Sequence, residues 1–225
     1  MSTRSHRNIF ANFDEHRSIG SNFMEAFESG YIALHPFYRR VFQEDFDYRR
    51  RLKDSFNLIE PITWNKVMSE LKFKDTSQLA RAILRENTTE AKELNDYVEY
   101  RRLVFPVMVE DTIPEVILYK YLKYLLGHGI KEVTKGYSKH TSPPDDKRNK
   151  NLGFSESNIF EVIEYLEHGF VVETDFLNIV LLLPNHDCPY TLILGDKELV
   201  DSFVEGFSIE GFWVDRNTRF DWWAG

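Results

Sequence analysis

The chain holds a single cysteine, Cys188. An internal disulfide is therefore impossible, and nothing in the composition asks for an oxidising compartment. Long apolar runs are missing too, since no stretch approaches the roughly 20 residues that a membrane-spanning helix needs. The opening Met1-Ser2-Thr3-Arg4-Ser5-His6-Arg7 is polar and runs on to Asp14 and Glu15 rather than to the apolar core of a signal peptide. These absences lead us to expect a cytoplasmic protein. There is no internal repeat, no glycine-rich phosphate loop and no trusted catalytic or metal motif. Positive charge is the scarcest feature of the last third. From Gly153 to Gly225 there are 14 acidic residues against three basic ones (Lys197, Arg216 and Arg219), whereas the first 152 residues hold 25 basic and 22 acidic residues. The net charge of -8 thus conceals two regions of different electrostatic character.

Hydrophobic residues at 42% and charged residues at 28% are ordinary for a soluble globular chain, while aromatics at 15% are plentiful. With 225 residues the chain can bury a core as one large domain or as two small ones.

The last third reads as the organising stretch. Ser157 to His168 has helical apolar spacing, and Gly169 follows as a helix stop. Phe170 to Glu173 reads as a strand. Asp175 to Asn178 carries turn residues, and Ile179 to Leu183, closed by Pro184, is a strand buried on both faces and paired with the first as a hairpin. Tyr190 to Leu194 is the third strand. Asp196 is placed to cap a helix over Lys197 to Glu205, which Gly206 ends, and Ser208 to Val214 is a half-exposed last strand. The order α-β-β-β-α-β implies an α+β fold, with a mainly antiparallel sheet carrying helices on one face.

The first 129 residues read as mainly helical. Helices are expected over Phe13 to Gly30, Phe37 to Phe56, Trp64 to Leu71 with Thr63 as cap, Gln78 to Glu86, and Glu90 to Val104 capped by Thr88 or Thr89. Asp75-Thr76-Ser77-Gln78 and Thr112-Ile113-Pro114-Glu115 have the form of capping boxes. Val116 to Leu126 is apolar on nearly every side and reads as a buried central helix. Residues 130–152, rich in lysine and poor in large apolar side chains, read as a basic polar loop or linker. The expected division is therefore a helical region over residues 1–129, that loop, and an acidic α+β region over residues 153–225; the two regions can also pack as one domain.

Several residue groups are candidates for chemistry. Glu173 and Asp175 stand two apart at a strand end, with His186 and Asp187 in a turn of the same sheet; carboxylates and an imidazole so gathered can bind a divalent metal or act as acid and base. Turns collect Asp and Asn for backbone reasons alone. Cys188 beside His186 offers a thiol, but it precedes a proline in acidic surroundings, where nothing lowers its pKa. The basic clusters Arg49-Arg50-Arg51 and Arg101-Arg102 are interleaved with acids, as on a solvated helix face, so a nucleic-acid surface is not the favoured reading.

The acidic region points elsewhere. Glu161 and Glu164 lie on one helix and Asp201 and Glu205 on another, and a surface of one sign steers a partner of the opposite sign. Trp213 and Trp222, in an aromatic tail that runs to Trp223, are interface anchors if they do not dock back on the domain. The expectation is a non-enzymatic protein-binding module for a basic protein, needing no cofactor. In character, acidic, aromatic-rich and loosely patterned, the chain resembles a bacterial immunity protein that neutralises a nuclease or other toxin domain. The alternatives are a metal-dependent hydrolase or nuclease using Glu173, Asp175, His186 and Asp187, and a homo-oligomer whose aromatic tail packs on its own copy.

Overall fold

The computed structural model describes residues 14, 16–40, 56, 59–84, 88–106, 112–136, 150–166, 171–184 and 188–223. In chain order these residues form helix α1 (Ile19–Phe23), strands β1 (Ser29–Leu34), β2 (Phe37–Arg40) and β3 (Ile59–Ile62), and helices α2 (Trp64–Leu71), α3 (Thr76–Leu84) and α4 (Thr89–Arg101). Strand β4 (Leu103–Val104), helix α5 (Glu115–Gly127), strands β5 (Glu132–Gly136) and β6 (Lys150–Gly153) and helix α6 (Ile159–Leu166) follow. The chain closes with β7 (Val171–Glu173), β8 (Ile179–Leu182), β9 (Tyr190–Gly195), α7 (Lys197–Gly206) and β10 (Gly211–Trp213). The fold class is α+β, and every strand pairing whose register is described is antiparallel.

The chain forms two compact units. One comprises Met1–Ala33 and Asp111–Phe220, the other Leu34–Glu110 and Asp221–Gly225. These limits differ from the division expected at 130–152. Within that stretch, Glu132–Gly136 and Lys150–Gly153 are paired strands, with Val133 opposite Leu152, and residues 137–149 lie outside the described ones. Burial on both faces explains this: Val133, Thr134 and Lys135 are buried in succession, the lysine stem packing because its ammonium donates to the Tyr165 carbonyl at 2.6 Å.

The first unit is built on a seven-stranded sheet of order β10-β1-β9-β8-β7-β5-β6. The hairpin read from the sequence is there, with Val171 opposite Leu182, and β8 and β9 are buried along their whole length. Helix α5 packs on this sheet, where the buried Tyr121 hydroxyl donates to the Ile179 carbonyl of β8 at 2.8 Å. Burial, then the nearby Glu173 charge and Tyr124, push that hydroxyl's pKa upward and keep it a donor. The helix starts one residue after Pro114, which occupies the N-cap position without a side-chain bond, two residues later than the expected capping box places it. Its outer residues Val116, Tyr119 and Leu126 are only half-buried, so it is not enclosed on every side.

The helix expected over Phe13 to Gly30 is reduced to the five residues of α1, capped by Ser18. Gly30 lies within β1, all of whose residues are buried. This strand sits between β10 and β9, so its partners come from the far end of the chain. Two glycines allow close approach of backbones in this sheet: a Cβ at Gly211 would run into the Ile32 carbonyl of β1, and one at Gly195 into the Asn178 carbonyl where β9 meets β8.

The second unit carries a three-stranded sheet of order β3-β2-β4. Here the helix expected over Phe37 to Phe56 is corrected at its start, since Phe37–Arg40 is strand β2, paired with β3 and with β4; residues 41–55 lie outside the described ones. The expected helix over Glu90 to Val104 stops at Arg101, where Arg102 turns left-handed, and Leu103 and Val104 join the sheet opposite Arg39 and Tyr38. The caps Thr63 and Thr88 form as read, accepting from Lys66 at 3.3 Å and Ala91 at 3.0 Å. Asp75 accepts from Gln78 N at 2.8 Å, while the Gln78 side chain reaches the Lys74 amide rather than that of Asp75. The core gathers Phe37, Trp64 and Phe105. Trp64 Nε1 donates to the carbonyl of His35, itself buried.

Burial pushes the His35 pKa down to about 3, only partly opposed by its bond to the Pro106 backbone. An unfolded chain takes up a proton near pH 6.5 that the folded one refuses. The stabilising difference is therefore fully present above about pH 6.5 and is lost as pH falls toward 3, by at most about 1.4 kcal/mol per pH unit. Urea unfolding between pH 7.5 and 5 is expected to show this slope, flattened in His35→Gln; parallel profiles would contradict it. For the sheet, Tyr121→Phe is expected to cost about 1–2 kcal/mol and Gly195→Ala roughly 1–3 kcal/mol. A shift in denaturation midpoint at unchanged slope checks both.

Candidate functional site

Helix α6 buries Ile159, Val162, Ile163 and Leu166, a spacing of three and four, so Glu161 and Glu164 project to solvent on the other side. Helix α7 buries Val200, Phe203 and Val204, leaving Glu198 and Glu205 exposed and Asp201 half-buried. The acids read from the sequence are thus on outward faces, as expected.

Helix α5 stands between those two faces. Tyr119 stacks on Phe160 of α6 at 5.7 Å, whereas Tyr121 and Tyr124 meet Phe203 of α7 at 5.8 and 5.2 Å. Tyr119 and Tyr121 are about 200° apart around the helix, so α6 and α7 flank α5. On the outer side of α5 are Lys120 and Lys123, and Lys123 pairs with Glu156. Burial of the Lys120 stem pulls its pKa down. Glu161 with Glu164 and Asp201 with Glu205 therefore form two acidic patches with a lysine-bearing ridge between them.

Asp201 is not free for a partner in the way the sequence suggests. It holds Lys197 Nζ at 3.0 Å, and the same ammonium lies 4.1 Å from the Trp213 ring centroid. Trp213 remains 39% exposed and meets Tyr31 edge-on at 5.2 Å. The Tyr31 hydroxyl, whose pKa burial and then the Glu210 charge push up to about 12, donates to the Ile209 carbonyl at 2.9 Å. Trp222 belongs to the other unit, half-buried and edge-on to Trp223 at 5.3 Å. The aromatic tail docks back. Phe220 is buried against Phe23 and accepts from the Tyr190 hydroxyl at 2.9 Å, and the Trp223 carbonyl accepts from Arg81 at 2.8 Å.

Two residues of the metal alternative, Glu173 and Asp175, are among the described ones. Glu173 is buried in β7 opposite Thr134, while Asp175 is exposed in the following turn. His186 and Asp187 lie outside the described residues. Among the described residues no group of three or more His, Cys, Asp and Glu side chains is placed to hold a metal ion. Cys188 is half-buried and unbridged. Of the basic clusters, Arg49 to Arg51 lie outside the described residues, and Arg101 is engaged by Glu70 and by the Tyr97 ring.

Among the described residues three exposed aromatics escaped the reading of the sequence: Phe176, 66% exposed in the β7–β8 turn, Tyr100, 83% exposed on α4, and Tyr165 on α6. A phenylalanine among turn residues, where no strand or helix pattern calls for it, was the signal for the first.

These features define an α+β protein that shows two acidic helix faces and partly open aromatic side chains. The chain belongs to the family described as Protein of unknown function (DUF2711), which matches residues 15–224. No curated protein and no solved structure matches it. No helix among the described residues is long and apolar enough to cross a membrane.

Lys197→Met is expected to uncover the Trp213 face: acrylamide quenching of tryptophan emission rises, while stability changes by less than about 1 kcal/mol. Unchanged quenching would mean that Lys197 does not cover the ring in solution.

Proposed function

We propose that this protein is a non-enzymatic binding module that recognises a basic protein through its acidic surface, in the manner of a bacterial cytoplasmic immunity protein that neutralises a toxin domain. The observation that supports this reading is the near-exclusion of lysine and arginine from the last 73 residues. Mixed signs would serve solubility equally well. The acids Glu161, Glu164 and Glu205 stand on helix faces whose opposite sides are core, so their positions are held by packing. Carboxylates so presented occupy the ground that a phosphate backbone takes on a nuclease.

The test is retention of a basic protein from lysate of the source organism by the whole chain at low and high salt. One basic protein is expected at low salt, weakened at high salt, and lost when Glu161→Lys, Glu164→Lys, Asp201→Lys and Glu205→Lys are combined. If no basic protein is retained, the acidity is only a solvated surface. Thermal stabilisation by millimolar magnesium, manganese or zinc would turn the reading toward a metal-dependent hydrolase.

A further inference from the structure

One end of the seven-stranded sheet brings together features that the helix faces lack. The turn between β7 and β8 holds Asp175 and Phe176, both exposed. That turn is tied down on each side. The Phe176 amide donates to Thr174 Oγ1 at 3.4 Å and the Ile179 amide to the Leu177 carbonyl at 2.9 Å. Asn178 Nδ2 donates to Asp196 Oδ1 at 2.5 Å, and the Asp196 amide to the Asn178 carbonyl at 3.0 Å. On the next strand ends, Glu28 accepts from the Lys197 amide at 3.0 Å, meeting the positive end of α7, and Ser29 Oγ donates to the Gly195 carbonyl at 3.0 Å. Glu28, Asp175 and Asp196 thus stand with Phe176 on adjoining strand ends, all four exposed. The cation among them, Lys197, is turned to Asp201 and Trp213. Lys131, before β5, and Arg216, after β10, flank this middle section from strands farther out.

Phe176, 66% exposed on a fixed turn, takes no part in the core and is available to a partner as an aromatic anchor. The charge around it selects what can cover it: three carboxylates oppose an acidic or nucleic-acid partner and favour one that brings lysine or arginine beside an apolar hollow. We propose that this strand-end rim, Phe176 with Asp175, Asp196 and Glu28, is where a basic protein docks. The inference rests on the binding role proposed above: this rim is the contact, and the acids of the helix faces steer the same basic partner toward it by their charge. Phe176 enters an apolar hollow of the partner, and the partner's cations meet the carboxylates.

The experiment is a titration of the isotope-labelled full chain, followed by amide shifts, with three synthetic peptides: arginine with leucine, arginine with serine, and glutamate with leucine. Saturable shifts centred on Asp175, Phe176 and Asp196 are expected for the arginine–leucine peptide, weaker ones for arginine–serine, and none for glutamate–leucine. Phe176→Ala should weaken the first by about tenfold, and Asp175→Lys should abolish it, each with an unchanged circular dichroism spectrum. Glu28→Gln with Asp196→Asn should reduce its salt dependence. Shifts centred on Glu161, Glu164 and Glu205, with Phe176→Ala binding as well as the wild type, would overturn the rim and leave the acidic-surface reading standing. No saturable binding of either arginine peptide would overturn both.

Discussion

The first unit depends on one strand finding its place late. β1 must lie between β9 and β10, so a segment near residue 30 is held by segments near residues 190 and 212. The cost is loop closure over most of the chain, offset by complete burial of β1 and by a backbone contact with β10 close enough to need Gly211. Once β1 is in place the other joints follow. Tyr31 reaches Ile209, Ser29 reaches Gly195, and Glu28 closes the first turn of α7. The strand-end rim is made by that same closure.

Charge is distributed on top of this packing rather than driving it. The described ion pairs are on the surface, where water and salt screen them, while several buried side chains are bonded to backbone: Tyr121 to Ile179, Trp64 to His35, Tyr190 to Phe220. The acidity of the last third is therefore free to act outward. Helix α5 divides it. Lys120 and Lys123 sit where a continuous acidic face would have run, and Lys197 ties Asp201 to the Trp213 ring. Phe176 has no such cover, and it stands beside carboxylates at a strand end rather than on a helix.

The last third was legible because its elements are local. Ile179 to Leu182 announces a buried strand by composition, Gly195-Asp196 announces the start of α7, and the helix over Ile159–Leu166 shows its core face by spacing. Thr63 and Thr88 were legible as caps because a hydroxyl three residues before an amide is a short-range matter. Phe37–Arg40 was not, since Phe37 and Val41 also fit a helical stripe, and only pairing with Ile59–Ile62 and Leu103–Val104 makes it a strand. Glu132–Gly136 looked like linker because lysine is polar by type, although its stem packs well when the ammonium finds a carbonyl. In the candidate surface, the outward direction of Glu161, Glu164 and Glu205 could be read from helical period, and so could the four-residue spacing of Lys197 and Asp201; the approach of that ammonium to the Trp213 ring could not.

By itself the sequence determined the α+β class, the elements whose apolar period is strong, the single unbridged cysteine and the separation of charge along the chain. These follow from composition and from contacts within a few residues. The tertiary structure alone decided that β1 joins the C-terminal strands, that Trp222 and Trp213 belong to different units, and that Glu173 is buried while Asp175 is not. It also decided that the acidic helices are parted by α5 and that Phe176 stands open on a fixed turn. The reason is physical: a residue's type sets what it can bond, but which bond it makes depends on partners that the fold brings from elsewhere in the chain, for β1 from the far end.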